Sequence, residues 1–153
     1  MPTTTGPVRE SGRRLRVLFL CTGNSCRSQM AEGWAKKLKA DTIDAYSAGT
    51  DPHGMNARAI RVMAEAGVDI SGYRSKHVRE LAEVAFDYVV TVCDHANETC
   101  PVFPGPARRM HRSFDDPPRL AAGARSEEEA LAPYRRVRDE IKAFIETLPE
   151  GLS

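Results

Sequence analysis

The feature that most constrains this chain is the octapeptide CTGNSCRS at residues 21–28, which stands between an apolar run and a helical pattern. The run LRVLFLC, residues 15–21, has the composition of a buried parallel strand. Beyond the octapeptide, Met30, Trp34 and Leu38 recur at helical spacing. A strand, a short loop and a helix in this order place the loop where open α/β sheets bind ligands, at the carboxyl end of a strand.

The rest of the chain continues the alternation of strands and helices. Strands are predicted at 15–21, 42–49, 87–93 and, as an edge strand, 109–114. Helices are predicted at 27–39, 56–66 with Gly67 as C-cap, and 77–86. A last helix opens with Ser126 and Glu129 at capping-box spacing, and Pro133 suits the first turn of its main part. Its buried face is expected to hold Tyr134, Val137, Ile141, Phe144 and Leu148.

This order of elements predicts an α/β fold, a three-layer arrangement with a four-stranded parallel sheet and helices on both faces. Residues 1–14 are expected to be a disordered N-terminal tail, and residues 15–150 a single catalytic domain.

Composition excludes several classes of function. A formal net charge of +1 gives no support for nucleic-acid binding. No run approaches the roughly 18 apolar residues of a membrane span, and residues 1–14 lack the apolar core of a secretory signal. We therefore expect a cytoplasmic protein without membrane contact, and a monomer. In that compartment structural disulfides are rare, so the four cysteines are candidates for chemistry.

The octapeptide has the residues of an oxyanion site. The backbone N–H groups of 22–28 can form a nest at a helix N-terminus, since Gly23 and Asn24 tolerate left-handed backbone and Arg27 offers a planar fork for two oxygens. A cation and a helix N-terminus also lower the pKa of a thiol, which makes Cys21 a candidate nucleophile; Ser28 could donate to its sulfur. The alternative is a small buried cysteine before a helix. The predicted substrate-binding residues are Thr22, Gly23, Asn24, Ser25, Cys26, Arg27 and Ser28.

The pattern C-x5-R-S after a first strand resembles the low-molecular-weight protein tyrosine phosphatase fold. That fold also carries an Asp-Pro much later in the chain, which Asp116-Pro117 matches. The resemblance implies that Asp116, rather than neighbouring Asp115, is the general acid. The alternative is a turn-forming Asp before Pro.

A phosphatase needs one cysteine, whereas this chain also has Cys93 at the end of a strand and Cys100 six residues further on. Parallel strands end at one rim, so Cys93 should lie near Cys21. A relay is then chemically feasible: Cys93 attacks an adduct on Cys21, and Cys100 attacks the resulting disulfide.

A phosphate-shaped pocket that needs electrons suggests arsenate, and the chain resembles the thioredoxin-coupled arsenate reductases. The resemblance covers about residues 15–147 and rests on CTGNSCRSQMAEGW, YSAG, VVTVCDHANETCP, FDDP and RVRDEIKAFIE. It implies arsenic detoxification: Cys21 attacks arsenate, Asp116 protonates the departing hydroxide, and a Cys21–Cys93 disulfide forms as arsenite leaves. Cys100 then forms an exposed Cys93–Cys100 disulfide for thioredoxin. No bound cofactor is implied; electrons come from NADPH through thioredoxin reductase.

Two side issues follow from the resemblance. Cys26 is not needed in the relay and is expected to be a packing residue. Some family members hold potassium beside the loop; Asn24, Glu32 and Ser47 match three of its ligands, but Lys76 stands where an Asp is expected. We expect the lysine ammonium to replace the cation, and no bound metal.

Three other functions were weighed. A low-molecular-weight phosphatase cleaving phosphoesters through a phosphocysteine at Cys21 fits the loop and Asp116 but leaves Cys93 and Cys100 idle. It also expects aromatic residues after Asp-Pro, where Pro118 and Arg119 stand. A zinc site does not suit the cysteine gaps, Cys21-x4-Cys26 and Cys93-x6-Cys100. A non-catalytic oxyanion sensor would need neither Asp116 nor the distal thiol pair.

Overall fold

The computed structural model describes residues 13–93 and 105–152. Four strands form one parallel sheet in the order β2-β1-β3-β4. They are β1 Leu15–Cys21, β2 Ile43–Gly49, β3 Tyr88–Thr91 and β4 Arg108–His111. The helices are α1 Arg27–Leu38, α2 Ala57–Glu65, α3 Pro117–Ala121 and α4 Glu127–Glu146. The predicted four-stranded parallel α/β fold is confirmed.

The central strand β1 explains the two layers of core packing. Val17 and Phe19 point to one face, in a cluster with buried residues of α1, α2 and α4. Leu18 and Leu20 point to the other face, as alternation along a strand requires. Because β1 has β2 on one side and β3 on the other, its carboxyl end lies between the carboxyl ends of these two neighbouring strands.

The second face is covered differently from the prediction of a helix over 77–86. Within that range the structure has one 3-10 helix, Val78–Leu81, none of whose residues is buried, followed by turns. The His77 side chain caps it by accepting from the Arg79 N–H at 3.0 Å, and the Glu80 carboxylate accepts from the His77 N–H. The polar cap and the few apolar residues of this segment favour a short turn over a sustained helix.

The C-terminal helix corrects the placement of Pro133. Ser126 is the N-cap, as predicted, and accepts from the Glu129 N–H at 3.1 Å. The helix then runs from Glu127 without a break, so Pro133 lies inside it and not in a first turn. At this position proline removes one helical hydrogen bond. Burial of Tyr134, Val137, Ile141 and Phe144 on the sheet side stabilises the continuous helix.

Two further differences concern the carboxyl rim of the sheet. Strand β3 ends at Thr91, two residues before Cys93. Helix α3 was not predicted; its five residues begin with Pro117, which suits a first helical position, directly after Asp116. Residues 1–12 of the predicted tail lie outside the described residues, as does Cys100.

Among the described residues, none of the helices combines the length and apolar character needed to cross a bilayer. The same residues contain no group of three or more His, Cys, Asp or Glu side chains arranged to hold a metal ion.

Candidate active site

The loop between β1 and α1 is formed by residues 22–26, with Cys21 as the last residue of the strand and Arg27 as the first of the helix. Asn24 has a φ of 48°, the left-handed conformation that the sequence predicted for this loop. Gly49, at the end of β2, approaches the loop so closely that an added Cβ would overlap the Thr22 carbonyl oxygen. A side chain at position 49 would therefore push the loop out of place.

The carbonyl groups of the loop are all held from outside. Thr22 O accepts from Asp51 N at 2.9 Å, and Gly23 O from His53 N at 2.9 Å. Asn24 O accepts from the Gln29 amide at 3.1 Å, Ser25 O from Asn56 N at 3.1 Å, and Cys26 O from Met30 N at 2.9 Å. In a planar trans peptide the C=O and the next N–H point in opposite directions, so these contacts turn the N–H groups of 23–27 inward. This is the geometry of an anion-binding nest.

The loop surrounds a cavity of about 180 Å³. This is smaller than the roughly 300–1,000 Å³ of pockets that enclose a drug-sized ligand. Every residue from Cys21 to Arg27 lines it, together with His53, Asp116 and Pro118. The structure thus brings together the predicted nucleophile, the predicted cation and the predicted acid, although Asp116 is far from Cys21 and Arg27 in the sequence. Ser28, which was also predicted to bind substrate, is fully buried and is not among the lining residues.

Arg27 is buried and fixed at the cavity wall. It is 5% exposed, and its Nη1 donates to the Phe114 carbonyl oxygen at 3.0 Å. Its Nη2 lies 3.7 Å from Asp116 Oδ1. A guanidinium held in this way presents a charge to the cavity without having to be ordered when an anion binds.

The two acidic residues before Pro117 have different surroundings. Asp116 lines the cavity and keeps 30% of its side chain exposed. Asp115 is exposed and forms an ion pair with Arg136 of α4 at 2.8 Å. The geometry therefore favours Asp116 over Asp115 as the acid.

Asn24 connects the loop to the structure behind it. Its Nδ2 donates to Ser28 Oγ at 2.9 Å, and its Oδ1 accepts from Gln29 Nε2 and from the Lys76 N–H, each at 2.9 Å. Asn24, Ser28 and Gln29 are all fully buried. Because the Asn24 amide occupies Ser28 Oγ as an acceptor, the Ser28 hydroxyl proton is left for another partner.

Lysine side chains lie beside the residues that match the potassium ligands of some family members. Lys76 Nζ donates to the Ser47 carbonyl oxygen at 3.0 Å. Ser47 Oγ donates to the buried Glu32 carboxylate at 2.5 Å, and Lys36 Nζ contacts that carboxylate at 2.6 Å. Burial lowers the pKa of Lys76, and the nearby Glu32 opposes that shift. The Lys76 ammonium therefore occupies the Ser47 carbonyl oxygen, and the Lys36 ammonium occupies the Glu32 carboxylate.

The cysteines have distinct environments. Cys21 and Cys26 are free thiols, and both are buried. Burial raises the pKa of the Cys26 thiol far above its ordinary range, which fits the prediction of a packing residue, although Cys26 is also among the residues that line the cavity. Cys93 is fully buried and disulfide-bonded. It follows Val92, whose N–H donates to Leu20 O at 3.1 Å, so Cys93 lies at the rim where β1 ends.

Sequence reasoning missed His53 and Pro118 as cavity-lining residues. Pro118 directly follows the predicted Asp-Pro, and His53 is four residues beyond the end of β2. A usable signal was present, because the strand preceding His53 was predicted to end at the same rim as the loop.

The chain is similar to known proteins over most of its length. A family model described as low molecular weight phosphotyrosine protein phosphatase matches residues 16–153. An arsenate reductase of Halalkalibacterium halodurans is 50% identical over 134 residues, which is 88% of this chain and 94% of that protein.

Solved structures of the same two kinds of protein resemble this chain in fold. An arsenate reductase in the phosphate binding state has a TM-score of 0.70 at 32% identity, over 88% of this chain and 95% of the other. A low molecular weight protein tyrosine phosphatase from T. tengcongensis has a TM-score of 0.61 at 28% identity, over 88% and 97% of the two chains.

Proposed function

Since the chain belongs to the low molecular weight phosphotyrosine protein phosphatase family and is an arsenate reductase by sequence similarity, we propose that it reduces arsenate at the Cys21 loop by a three-cysteine relay coupled to thioredoxin. The observation that carries the proposal is the cavity in which Cys21, Arg27 and Asp116 meet beneath inward-facing loop amides. Arsenate is a tetrahedral oxyanion, and this site supplies the donors for its oxygens.

In the first step the Cys21 thiolate attacks arsenic and forms an S–As bond. The loop amides and Arg27 hold the arsenate oxygens, and hydroxide departs with a proton from Asp116 as water. The burial of Arg27 supports its role, because a fixed charge in a water-poor site stabilises the transition state without reorganising.

In the second step the Cys93 thiolate attacks the Cys21 sulfur. The S–S bond forms, and the electron pair of the S–As bond goes to arsenic, which leaves as arsenite; two thiols are oxidised and arsenic gains two electrons. The location of Cys93 two residues beyond the end of β3, at the rim where β1 also ends, supports this step. Its disulfide-bonded state is compatible with a sulfur that cycles between thiol and disulfide.

In the third step Cys100 attacks Cys93, which frees Cys21 and forms the Cys93–Cys100 disulfide. The thioredoxin dithiol reduces it by exchange, with NADPH and thioredoxin reductase as the electron source. No cofactor bound to the chain is needed. The roles of Cys100 and thioredoxin rest on the resemblance to thioredoxin-coupled arsenate reductases.

The test is arsenate-dependent NADPH oxidation with thioredoxin and thioredoxin reductase, for the parent and for Cys21→Ser, Cys93→Ser and Cys100→Ser. We expect turnover in the parent and its loss in each variant. Hydrolysis of a phosphoester that survives in Cys93→Ser and Cys100→Ser, with no arsenate turnover in the parent, would instead identify a phosphatase. Cys26 provides a further comparison: in the oxidised parent, peptide mapping should not find it in the disulfides.

A further inference from the structure

His53 is placed at the mouth of the cavity by contacts with the loop itself. The Asp51 and His53 N–H groups donate to Thr22 O and Gly23 O, so the segment after β2 is bonded directly to the loop. The imidazole lies against the backbone of Gly23: a Cβ added there would stand 2.8 Å from Nδ1 and 3.2 Å from Cγ. Position 23 therefore accommodates the ring because it has no side chain.

The ring is also held from its far side. His53 Nε2 lies 3.3 Å from Asp51 Oδ2, and both side chains are mainly exposed. This contact orients Nε2 toward Asp51 and Nδ1 toward the loop. The imidazole ring therefore has a defined position at the mouth of the cavity, and one side of the ring is exposed to solvent.

A second part of the chain also contributes to the lining of the cavity. Pro118 belongs to α3, which follows β4, whereas His53 follows β2. Strands β2 and β4 are the two edges of the sheet, with β1 and its loop between them. Groups from both edges therefore narrow the way into a cavity of about 180 Å³.

We propose that His53, positioned by Asp51, determines substrate specificity by admitting a compact inorganic oxyanion and obstructing the organic group of a phosphoester. An inorganic oxyanion ends at its fourth oxygen. An ester continues from that oxygen through the mouth, past the lining that Asp116, His53 and Pro118 contribute. This inference rests on the proposed use of the loop as the substrate site.

The experiment compares 4-nitrophenyl phosphate hydrolysis with arsenate reduction in the parent, His53→Ala and His53→Gln. We expect His53→Ala to raise kcat/KM for the ester about tenfold, a typical effect of reshaping a pocket wall. Arsenate kcat/KM should change by less than about threefold, and His53→Gln, which keeps the bulk, should retain the parental ratio of ester to arsenate.

Two further variants separate the role of His53 from a general disturbance of its loop. Asp51→Ala, which releases the ring, should raise ester activity, whereas Asp51→Asn keeps an oxygen acceptor and should not. Thr50→Ala, an exposed change in the same segment, is the matched control and should behave as the parent.

Unchanged ester activity in His53→Ala would overturn the inference, as would an equal rise in His53→Ala and His53→Gln. Weaker arsenate binding in both variants without a gain in ester hydrolysis would also overturn it, because His53 would then be an anion-binding group. A parent that lacks arsenate turnover would refute the proposed function, while the ester comparison would still decide the role of His53.

Discussion

The guanidinium of Arg27 lies beside the carboxyl group of Asp116 in the lining of the cavity, with 3.7 Å between Nη2 and Oδ1. Both residues reach this position through one short segment, because Arg27 also donates to the carbonyl oxygen of Phe114, two residues before Asp116. The residue proposed to bind the anion and the residue proposed to protonate the departing hydroxide are therefore aligned by the same backbone segment. We therefore expect substitution of Asp116 to affect the reaction more than substitution of its neighbour Asp115.

Asp116→Asn is expected to lower kcat for arsenate reduction by about 100-fold, the lower range for loss of a positioned general acid. The amide keeps the size of the side chain but cannot deliver the proton. Asp115→Asn is the matched control, since Asp115 is paired with Arg136 outside the cavity. Steady-state kinetics on the two variants checks the prediction; equal losses in both would assign the effect to the Phe114–Pro117 turn.

Asn24→Ala is expected to reduce the free energy of unfolding by about 3 kcal/mol. The substitution leaves the partly buried Lys76 N–H without its acceptor and the buried Ser28 Oγ without the donor it accepts from, at about 1–3 kcal/mol for each unsatisfied group. Asn24→Gly loses the same bonds but relieves the left-handed strain of about 1 kcal/mol, so it should be the more stable of the two. Urea unfolding of both variants measures the difference. Two variants as stable as the parent would mean that other groups can replace the Asn24 amide.

Potassium is expected to leave the parent unaffected. Because Lys76 Nζ already contacts Ser47 O, melting temperatures in potassium and sodium chloride at equal ionic strength should agree. Lys76→Asp supplies the missing carboxylate, and in that variant potassium, but not sodium, should raise the melting temperature by binding the folded state. A potassium-specific rise in the parent would show that the lysine side chain yields its place to the ion.

The contact between α2 and α4 should give acid sensitivity through Glu65. Its carboxylate accepts from Arg135 at 2.8 Å, and this hydrogen bond is the main reason why the pKa of Glu65 falls from 4.5 to about 2. A carboxyl group with a lower pKa in the folded state stabilises the fold above its unfolded pKa, and this contribution is lost as pH falls from about 4.5 to about 2. Urea unfolding of the parent and Glu65→Gln between pH 7 and pH 2 is the measurement. The two stabilities should converge toward the acidic end; a gap independent of pH would contradict the assignment.

The parts of the fold that the sequence predicted well are those with a local cause. Met30 and Trp34 mark α1 by spacing alone, and the apolar run before Cys21 marks β1. The parts it missed depend on distant contacts. The segment from His77 to Phe86 carries helix-compatible residues, yet it forms only a 3-10 turn, and its apolar side chains pack against Leu18 and Leu20 of β1. Pro133 remains inside α4 because side chains beyond it are buried against the core, which no local rule records.

For the site, a short motif predicted the loop and the resemblance predicted Asp116. The role of Lys76 was predicted only in part. The sequence showed a lysine where a carboxylate ligand is expected. The hydrogen bond from its Nζ to Ser47 O, however, depends on how β2 pairs with the segment that ends at His77. His53 was invisible to motif reasoning because its position depends on two main-chain bonds to the loop.

The outward bonds of the loop carbonyls have a consequence for how this protein can change. The shape of the anion site is maintained by segments after β2, before α2 and within α1, whose N–H and amide groups donate to the outward-facing carbonyl groups of the loop. The cradle is thus complete before any anion arrives, and its ordering is part of folding. Substitutions at the supporting segments can retune affinity while every residue that touches the anion stays the same. The main-chain conformation of the loop is thus set by the hydrogen bonds on its outer side.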